Sequence, residues 1–365
     1  MQSEKNILLV CFSFPPFPGI GGRRWAKFAK HLAKNYFNVH VLAAENTASD
    51  VSEWTNETNH KDIKLHTFSL GLSKVFSFYP KNLAEKLIYK GLTLIGSMLI
   101  KGNKRDKIFF IKNDILTAAE KIISENKIGI LIITIPPYKL AYYLLPLKKK
   151  FPHLKLMIDY RDPWTDNKSY HCFAEISKTD LVNEVEFEKE VLVTADVIFD
   201  VNAKSLEVLK NKTQSKAKLI HLPNAYDLED YKFVIPKNDS KTTIRFIYSG
   251  SFYPNLIYLL EPLVNSLKRL EKSHLALYKS LKFDFYGNMD HKAVSYLKQS
   301  QCTAITFHGN LTQKQVFDEI NDATFCMLFS APDHSSTFNT KFYEYLYFKK
   351  PIIYFGNRGE TSDFI

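Results

Sequence analysis

Short apolar runs recur along the whole chain, each followed by a stretch with helical spacing, and that alternation leaves few folds open. Seven runs occupy the first part, at 6–12, 38–44, 63–68, 129–134, 155–159, 197–201 and 218–222. Between them, Trp25, Phe28, Ala29 and Leu32 keep helical spacing, a similar pattern spans 138–150, and an acidic helix is expected at 178–194. Strands that alternate with covering helices pair in parallel, because a parallel neighbour is reached only through a crossover. Residues 226–243, YDLEDYKFVIPKNDSKTT, break the rhythm and turn polar. It then restarts, with strands expected at 244–249, 281–286, 305–307, 325–329 and 352–355 and helices at 256–272, 290–299, 312–321 and 339–348. The pattern predicts an α/β chain of two doubly wound domains, 1–225 and 244–365, joined by a linker at 226–243. A cleft between them is the expected ligand site. The last residues, TSDFI, follow a strand where a doubly wound domain would end on a helix, so the second domain reads as short.

Charge narrows the partners. A formal net charge of +11 over 365 residues points to an anionic partner: a phosphorylated substrate, an acidic membrane surface or nucleic acid. No dense Lys/Arg tract or Cys/His pattern argues for nucleic acid. The four cysteines, at 11, 172, 302 and 326, form no CxxC pair, so no zinc site or disulfide framework is indicated and a reducing cytoplasm fits. The N-terminal apolar run is too short for a signal peptide, and no uncharged apolar stretch is long enough to span a bilayer.

The densest local signal is FPPFPGIGGRRW, at 14–25, directly after the first apolar run. Gly19, Gly21 and Gly22 would let an anion approach the backbone at a helix N-terminus, with Arg23 and Arg24 adding charge. No Gly-Lys-Ser/Thr follows, so this is not a Walker loop. As a dinucleotide fingerprint it is imperfect, since Arg24 stands at the third glycine position, although Glu45 ends the second strand where a ribose-binding acid belongs. A nicotinamide oxidoreductase would leave the second half unexplained. A tight turn without any ligand is the plain alternative.

Several separated motifs together resemble the glycosyltransferases of family 4, also called group 1. They are FPPFPGIGGRRWAKFAKHL (14–32), TIPPYK (134–139), DYRDPW (159–164), ADVIFDVN (195–202), LPNAYD (222–227), FIYSGSFY (246–253), DFYGN (284–288), FHGNLT (307–312) and KFYEYLYFKKPIIYFG (341–356). They occur in the family's order over nearly the whole chain, and TIPPYK and DYRDPW are similar to a subgroup that builds bacterial surface polysaccharides. The resemblance implies a GT-B fold, two Rossmann-like domains facing across a cleft. It implies transfer of a sugar from a nucleotide-sugar donor, with retention and without a required metal or cofactor, to a glycan or polyprenyl-linked acceptor. On the donor side it implies Gly250, Gly287, Asn288, His308, Gly309, Lys341 and Glu344, with Gly19, Gly21, Gly22 and Arg24 near the phosphates. Glu344, one turn into its helix, suits two ribose hydroxyls; an ordinary helix ion pair with Lys341 is the plain alternative.

The chain also departs from the family. The basic residue usually found a few positions after the Gly250 equivalent is absent, since Ser251-Phe252-Tyr253-Pro254-Asn255 follows and the next cation is Lys268. Ser336 replaces the first acid of the paired-glutamate motif. Lys341, Arg23 or Arg24 are the candidates to compensate. On the acceptor side Pro136 and Pro137 stand where relatives carry a histidine, leaving Asp159, Arg161 and Asp162 to orient or deprotonate an acceptor hydroxyl; an arginine–aspartate pair that only holds the loop is the alternative. These losses also suit a non-catalytic nucleotide- or glycan-binding protein on the same fold.

Residues 72–112 carry Lys74, Lys81, Lys86, Lys90, Lys101, Lys104, Arg105, Lys107 and Lys112 against Glu85 and Asp106. Leu83, Leu87, Ile88, Leu92, Ile95 and Leu99 are expected on one helical face, which suits a helix lying peripherally on an anionic inner leaflet or an ordinary helix packed on the sheet.

Overall fold

A computed structural model describes residues 5–77, 80–167, 173, 176–212, 216–232, 243–331, 338 and 340–365. The chain divides into two compact units, Met1–Pro223 and Asn224–Ile365.

In the first unit seven strands form one sheet: β1 (Asn6–Val10), β2 (Asn38–Ala44), β3 (Ile63–Phe68), β4 (Ile130–Ile135), β5 (Lys155–Tyr160), β6 (Val197–Asp200) and β7 (Lys218–His221). Their order is β3-β2-β1-β4-β5-β6-β7, and every pair is parallel. The crossovers carry α1 (Arg23–Lys34), α2 (Leu83–Leu99), α3 (Lys112–Asn126), α4 (Lys139–Lys150), α5 (Lys178–Thr194) and α6 (Ala203–Lys212).

β1 shows why the run is continuously apolar. Ile7, Leu9 and Cys11 pack with Trp25, Ala26 and Ala29 of α1 on one face. Leu8, Val10 and Phe12 pack with Ile115 and Ala119 of α3 on the other. A strand covered on both sides has no polar face to alternate, and each such side chain contributes about 1.5–3 kcal/mol by burial. Strand order reverses direction between β1 and β4, which puts the loops after those two strands at the switch point.

The second unit repeats the plan with five parallel strands: β8 (Ile244–Ser249), β9 (Leu281–Tyr286), β10 (Ile305–Gly309), β11 (Phe325–Phe329) and β12 (Ile352–Phe355). The order is β10-β9-β8-β11-β12, with the switch point between β8 and β11. Its helices are α7 (Leu260–Ser273), α8 (Leu275–Ser280), α9 (His291–Ser300), α10 (Gln313–Asp322), α11 (Thr340–Tyr347) and a short α12 (Glu360–Phe364) that follows the last strand. One core packs Tyr248, Phe252, Phe285 and Phe329 under α7. The other packs Ile247, Cys326 and Leu328 under Phe317, Ile320, Phe342 and Tyr345 of α10 and α11.

Part of the expected linker belongs to this second unit. Tyr231 stacks on Tyr347 at 3.6 Å and on Phe317 at 4.5 Å, and Tyr226 meets Tyr347 edge-on at 5.4 Å. The stretch reads as polar because acids surround the two tyrosines, yet the rings have a core to enter. Positions 233–242 of the expected linker, like Ser336 and Cys172, lie outside the described residues.

Candidate functional site

Two loop clusters gather the singled-out residues, one at the C-terminal strand edge of each unit. In the first unit the chain leaves β1, turns through Gly19 at φ +95°, and enters α1 through a short 3-10 turn at Ile20–Gly22. Gly22 is buried, and a Cβ there would stand 3.1 Å from Phe14 Cα, so this glycine answers to close backbone packing. Gly21 is partly open, but its carbonyl accepts from Arg161 Nη1 at 2.6 Å. Arg161 also donates from Nη2 to Pro136 O at 2.7 Å and from Nε to Ile135 O at 3.3 Å. The guanidinium therefore ties together the loops after β1, β4 and β5. It fixes the loops as the plain alternative expected, through carbonyl groups rather than through an aspartate.

Asp159 and Arg24 sit differently from their expected roles. Asp159 is fully buried, accepting from Trp25 Nε1 at 2.7 Å, Thr134 Oγ1 at 2.9 Å and Arg24 Nη2 at 3.1 Å. Arg24 donates further to Leu222 O at 2.8 Å and Pro223 O at 3.1 Å, and its guanidinium lies 4.9 Å over the Phe28 ring. This carboxylate and this arginine pin α1 to β5 and to the chain leaving β7. Neither is presented to an acceptor hydroxyl or a donor phosphate, because a buried charge is held where its hydrogen bonds are.

Asp162 is half-exposed beside them. Nearby Asp200, buried, accepts from Asn202 N at 2.8 Å and Ser205 Oγ at 2.6 Å. Burial pushes its carboxyl up to about 7, and the charges of Asp159 and Asp162 add to the rise. Lys107, singled out in the sequence only as one of a basic run, places its ammonium 4.3 Å over the Phe12 ring. Burial first, and then the Arg161 guanidinium, hold that ammonium below the usual lysine range. Trp164 is core: it stacks on Tyr138 at 5.6 Å and donates to Glu184 Oε2 at 2.7 Å.

In the second unit three glycines step across three neighbouring strand ends. Gly250 follows β8 at φ +131°, Gly287 follows β9 at +118°, and Gly309 ends β10 at +80°. Gly250 N donates to Tyr286 O and Gly287 N to Gly309 O, both at 2.7 Å. These left-handed conformations favour glycine. At Gly287 space is a second reason, since a Cβ there would lie 2.4 Å from Gly250 O. Next to them Asn310 Nδ2 donates to Asn288 Oδ1 at 2.7 Å on the exposed rim.

Lys341, in the first turn of α11, meets this edge. A Cβ on Gly250 would fall 2.1 Å from its Cε and 2.6 Å from its Nζ, so the missing side chain is what admits the lysine. Its ammonium donates to Tyr248 Oη at 2.6 Å and lies 4.2 Å over that ring, while Tyr248 Oη donates on to Ser251 O at 2.8 Å. Burial holds the ammonium down at about 8, against the opposing pull of the Glu344 carboxylate. No ion pair of Lys341 occurs among the described residues. Its hydrogen-bond partner among the described residues is a neutral phenol. A cation thus stands beside Gly250, brought there from 91 positions further along the chain.

Glu344 follows one turn later on α11, half-buried. Tyr345, fully buried, fixes the helix to β8 by bonding Ser249 N at 3.1 Å and Ser249 Oγ at 3.2 Å. His308 is engaged elsewhere: its Nε2 is 2.7 Å from Asp284 Oδ1 and its ring stacks on Tyr286 at 4.6 Å. Asp284 also pairs with Arg245, which binds Glu319 and Asp322 as well. This places His308 in a network of fixed charges on the face of the sheet.

Sequence reasoning did not single out Tyr248, Thr134 or the capture of Arg24 by carbonyl groups. No local spacing marks a residue whose partner lies on another element, from 25 positions away for Thr134 to 199 for Arg24.

Comparison with known proteins finds no matching family model and no matching curated protein. Solved structures do match. Sucrose-phosphate synthase from Thermosynechococcus elongatus superposes with a TM-score of 0.61 at 12% identity, over 96% of this chain and 80% of that one. The Anabaena protein HepE, in complex with UDP and glucose, gives 0.57 at 12% identity over 98% and 82%. The lipopolysaccharide outer core galactosyltransferase WaaB gives 0.54 at 13% identity over 96% and 80%. Two parallel sheets of Rossmann type in one chain, matched along nearly its whole length by such enzymes, give this protein the fold of the GT-B glycosyltransferases.

Proposed function

We propose that this protein is a glycosyltransferase that takes a nucleotide-sugar donor on its second unit. The observation that carries the proposal is the Lys341 ammonium, held against the Gly250 turn by a neutral phenol. A cation that donates to a phenol, with no ion pair among the described residues, at the glycine-lined ends of parallel strands, suits a diphosphate. In this assignment Lys341 and the backbone around Gly250 take the phosphates, Glu344 takes the ribose hydroxyls, and Gly287, Asn288 and Gly309 face the base. Stabilising the charge that builds on the leaving diphosphate would be the cation's contribution to catalysis. HepE, matched in fold, was solved with UDP and glucose, which supports a uridine nucleotide as the first donor to try.

The motif order supports membership of family 4, with retention, no metal and an acceptor that is a surface glycan or a lipid-linked precursor. On the first unit Asp162, half-exposed at the end of the sheet, is the carboxylate assigned to the acceptor, with Asp159 and Arg161 holding the loops around it. That internal use of Asp159 and Arg161 also favours a second reading, a nucleotide- or glycan-binding protein without transfer activity.

Calorimetric titration with UDP, GDP and ADP tests the donor site. One nucleotide is expected to bind, and Lys341→Ala is expected to weaken it about 10- to 100-fold, the effect of losing one charge-assisted contact. No heat with any of them, or equal affinity in the variant, would refute the assignment. Incubation with labelled sugar nucleotides and lipid extracts separates the two readings, since binding without transfer favours the second.

A further inference from the structure

α2 turns an apolar face to solvent. Leu83, Leu87, Leu94 and Met98 are 75%, 62%, 59% and 74% exposed. At 100° per residue these four positions fall within about 60° of one another, one continuous stripe along the helix. The inner side is anchored elsewhere: Tyr89 packs on Phe76 at 5.4 Å, and buried Gly96 lies against Ile100 and the Lys104 carbonyl. The face expected from spacing alone is corrected here. Ile88 and Leu92 turn inward and are half-buried, whereas Leu94 and Met98 point out.

Charge surrounds the stripe with one sign. Lys86 and Lys90 flank it along the helix, and Lys74, Lys81 and Lys101 are exposed on the adjoining segments. Glu85 is the one acid between 72 and 101, and it is spent at the helix start, where its carboxylate accepts from Lys81 N at 2.7 Å. Of the rest of the basic run Arg105 is exposed beyond the helix, and the others are engaged within the unit. Lys104 pairs with Asp180, Lys107 and Lys112 lie over aromatic rings, and Asp106 is buried against Lys139 and Tyr143.

We infer that α2 docks this protein on an anionic phospholipid bilayer, the Leu83–Met98 stripe entering the acyl boundary and the five exposed lysines meeting the headgroups. An apolar stripe bordered by like charges fits a surface that offers hydrocarbon and negative charge together. A second copy of the chain fits less well, because an isologous contact through this stripe would bring two lysine-rich borders of the same sign together. No helix among the described residues is long and apolar enough to cross a membrane, so α2 lies on the surface rather than spanning it.

The test needs no knowledge of the substrate: flotation of the full chain with vesicles of phosphatidylcholine alone or mixed with phosphatidylglycerol. Binding to the mixed vesicles is expected to be on the order of tenfold stronger. Leu87→Ser with Leu94→Ser is expected to abolish it at an unchanged melting temperature, since both side chains are exposed. Lys86→Gln with Lys90→Gln is expected to remove the preference for phosphatidylglycerol. Equal binding to both vesicle types, or full binding by the leucine variant, overturns the inference. So does sedimentation that finds a dimer which the leucine variant dissociates. A protein that floats yet binds no nucleotide would fail as a donor-dependent transferase and still dock as inferred.

Discussion

The two strand edges have the same architecture and opposite states of satisfaction. At the first, every strongly polar side chain of the Arg24–Asp159–Arg161 group is used to hold the protein together. At the second, three strand ends carry glycine, and Lys341 beside them leans on a phenol. A parallel sheet delivers loops to one edge in either case. Whether an edge receives a ligand depends on what its own chain has already consumed.

The largest break in that contrast should come from Asp159→Ala. It strips Arg24, Trp25 and Thr134 of their shared acceptor and removes the carboxylate that balances the Arg24 guanidinium. The expected loss is about 3–5 kcal/mol of stability by urea denaturation. A variant that kept its stability and lost only transfer activity would move Asp159 into the chemistry and erase the difference between the edges.

Gly287→Ala should come next. Its Cβ would meet the Gly250 backbone at 2.4 Å, so the glycine turn must shift and the Lys341 contact with it. About 1–3 kcal/mol of stability and most nucleotide affinity should go together. Gly309→Ala, where a Cβ meets nothing within 4 Å of the chain itself, should carry the backbone strain and lose less affinity than Gly287→Ala. Equal losses of affinity in the two variants would show that the close Gly250–Gly287 approach is irrelevant to the site.

The smallest effect sharpens the comparison through pH. The Lys341 ammonium is lowered to about 8 from 10.5. Nucleotide affinity that depends on its charge should fall about tenfold between pH 7 and pH 9. Stability should move the other way: between those two pKa values the unfolded chain binds more protons, so this group's contribution rises with pH. Affinity that stayed level across pH 8 in the native protein would take the ammonium out of the binding site.

Much of the fold was legible because its causes are local. Apolar runs such as ILLV and ILIIT are buried on both faces, and the bounds of β2, β3, β8, β9, β11 and β12 follow the expected runs residue for residue. The glycine positions at the second edge were legible too, since Gly250, Gly287 and Gly309 each end a strand. The helix at 112–126 was not read although Ile115, Ala119, Ile122 and Ile123 keep helical spacing, and the packing of Tyr226 and Tyr231 was not read because their partner Tyr347 is distant in the chain.

By itself the amino-acid order determined two parallel α/β units and the places where their strands stop, since periodicity and chain-breaking residues act over a few positions. Only tertiary structure decided which charges are spent. Arg24 reads as a phosphate ligand until β5 brings Asp159 beneath it, and Lys341 reads as a helix ion pair until Gly250 makes room for it. A side chain's availability is set by neighbours that are distant in the chain, and only folding brings them within hydrogen-bond reach.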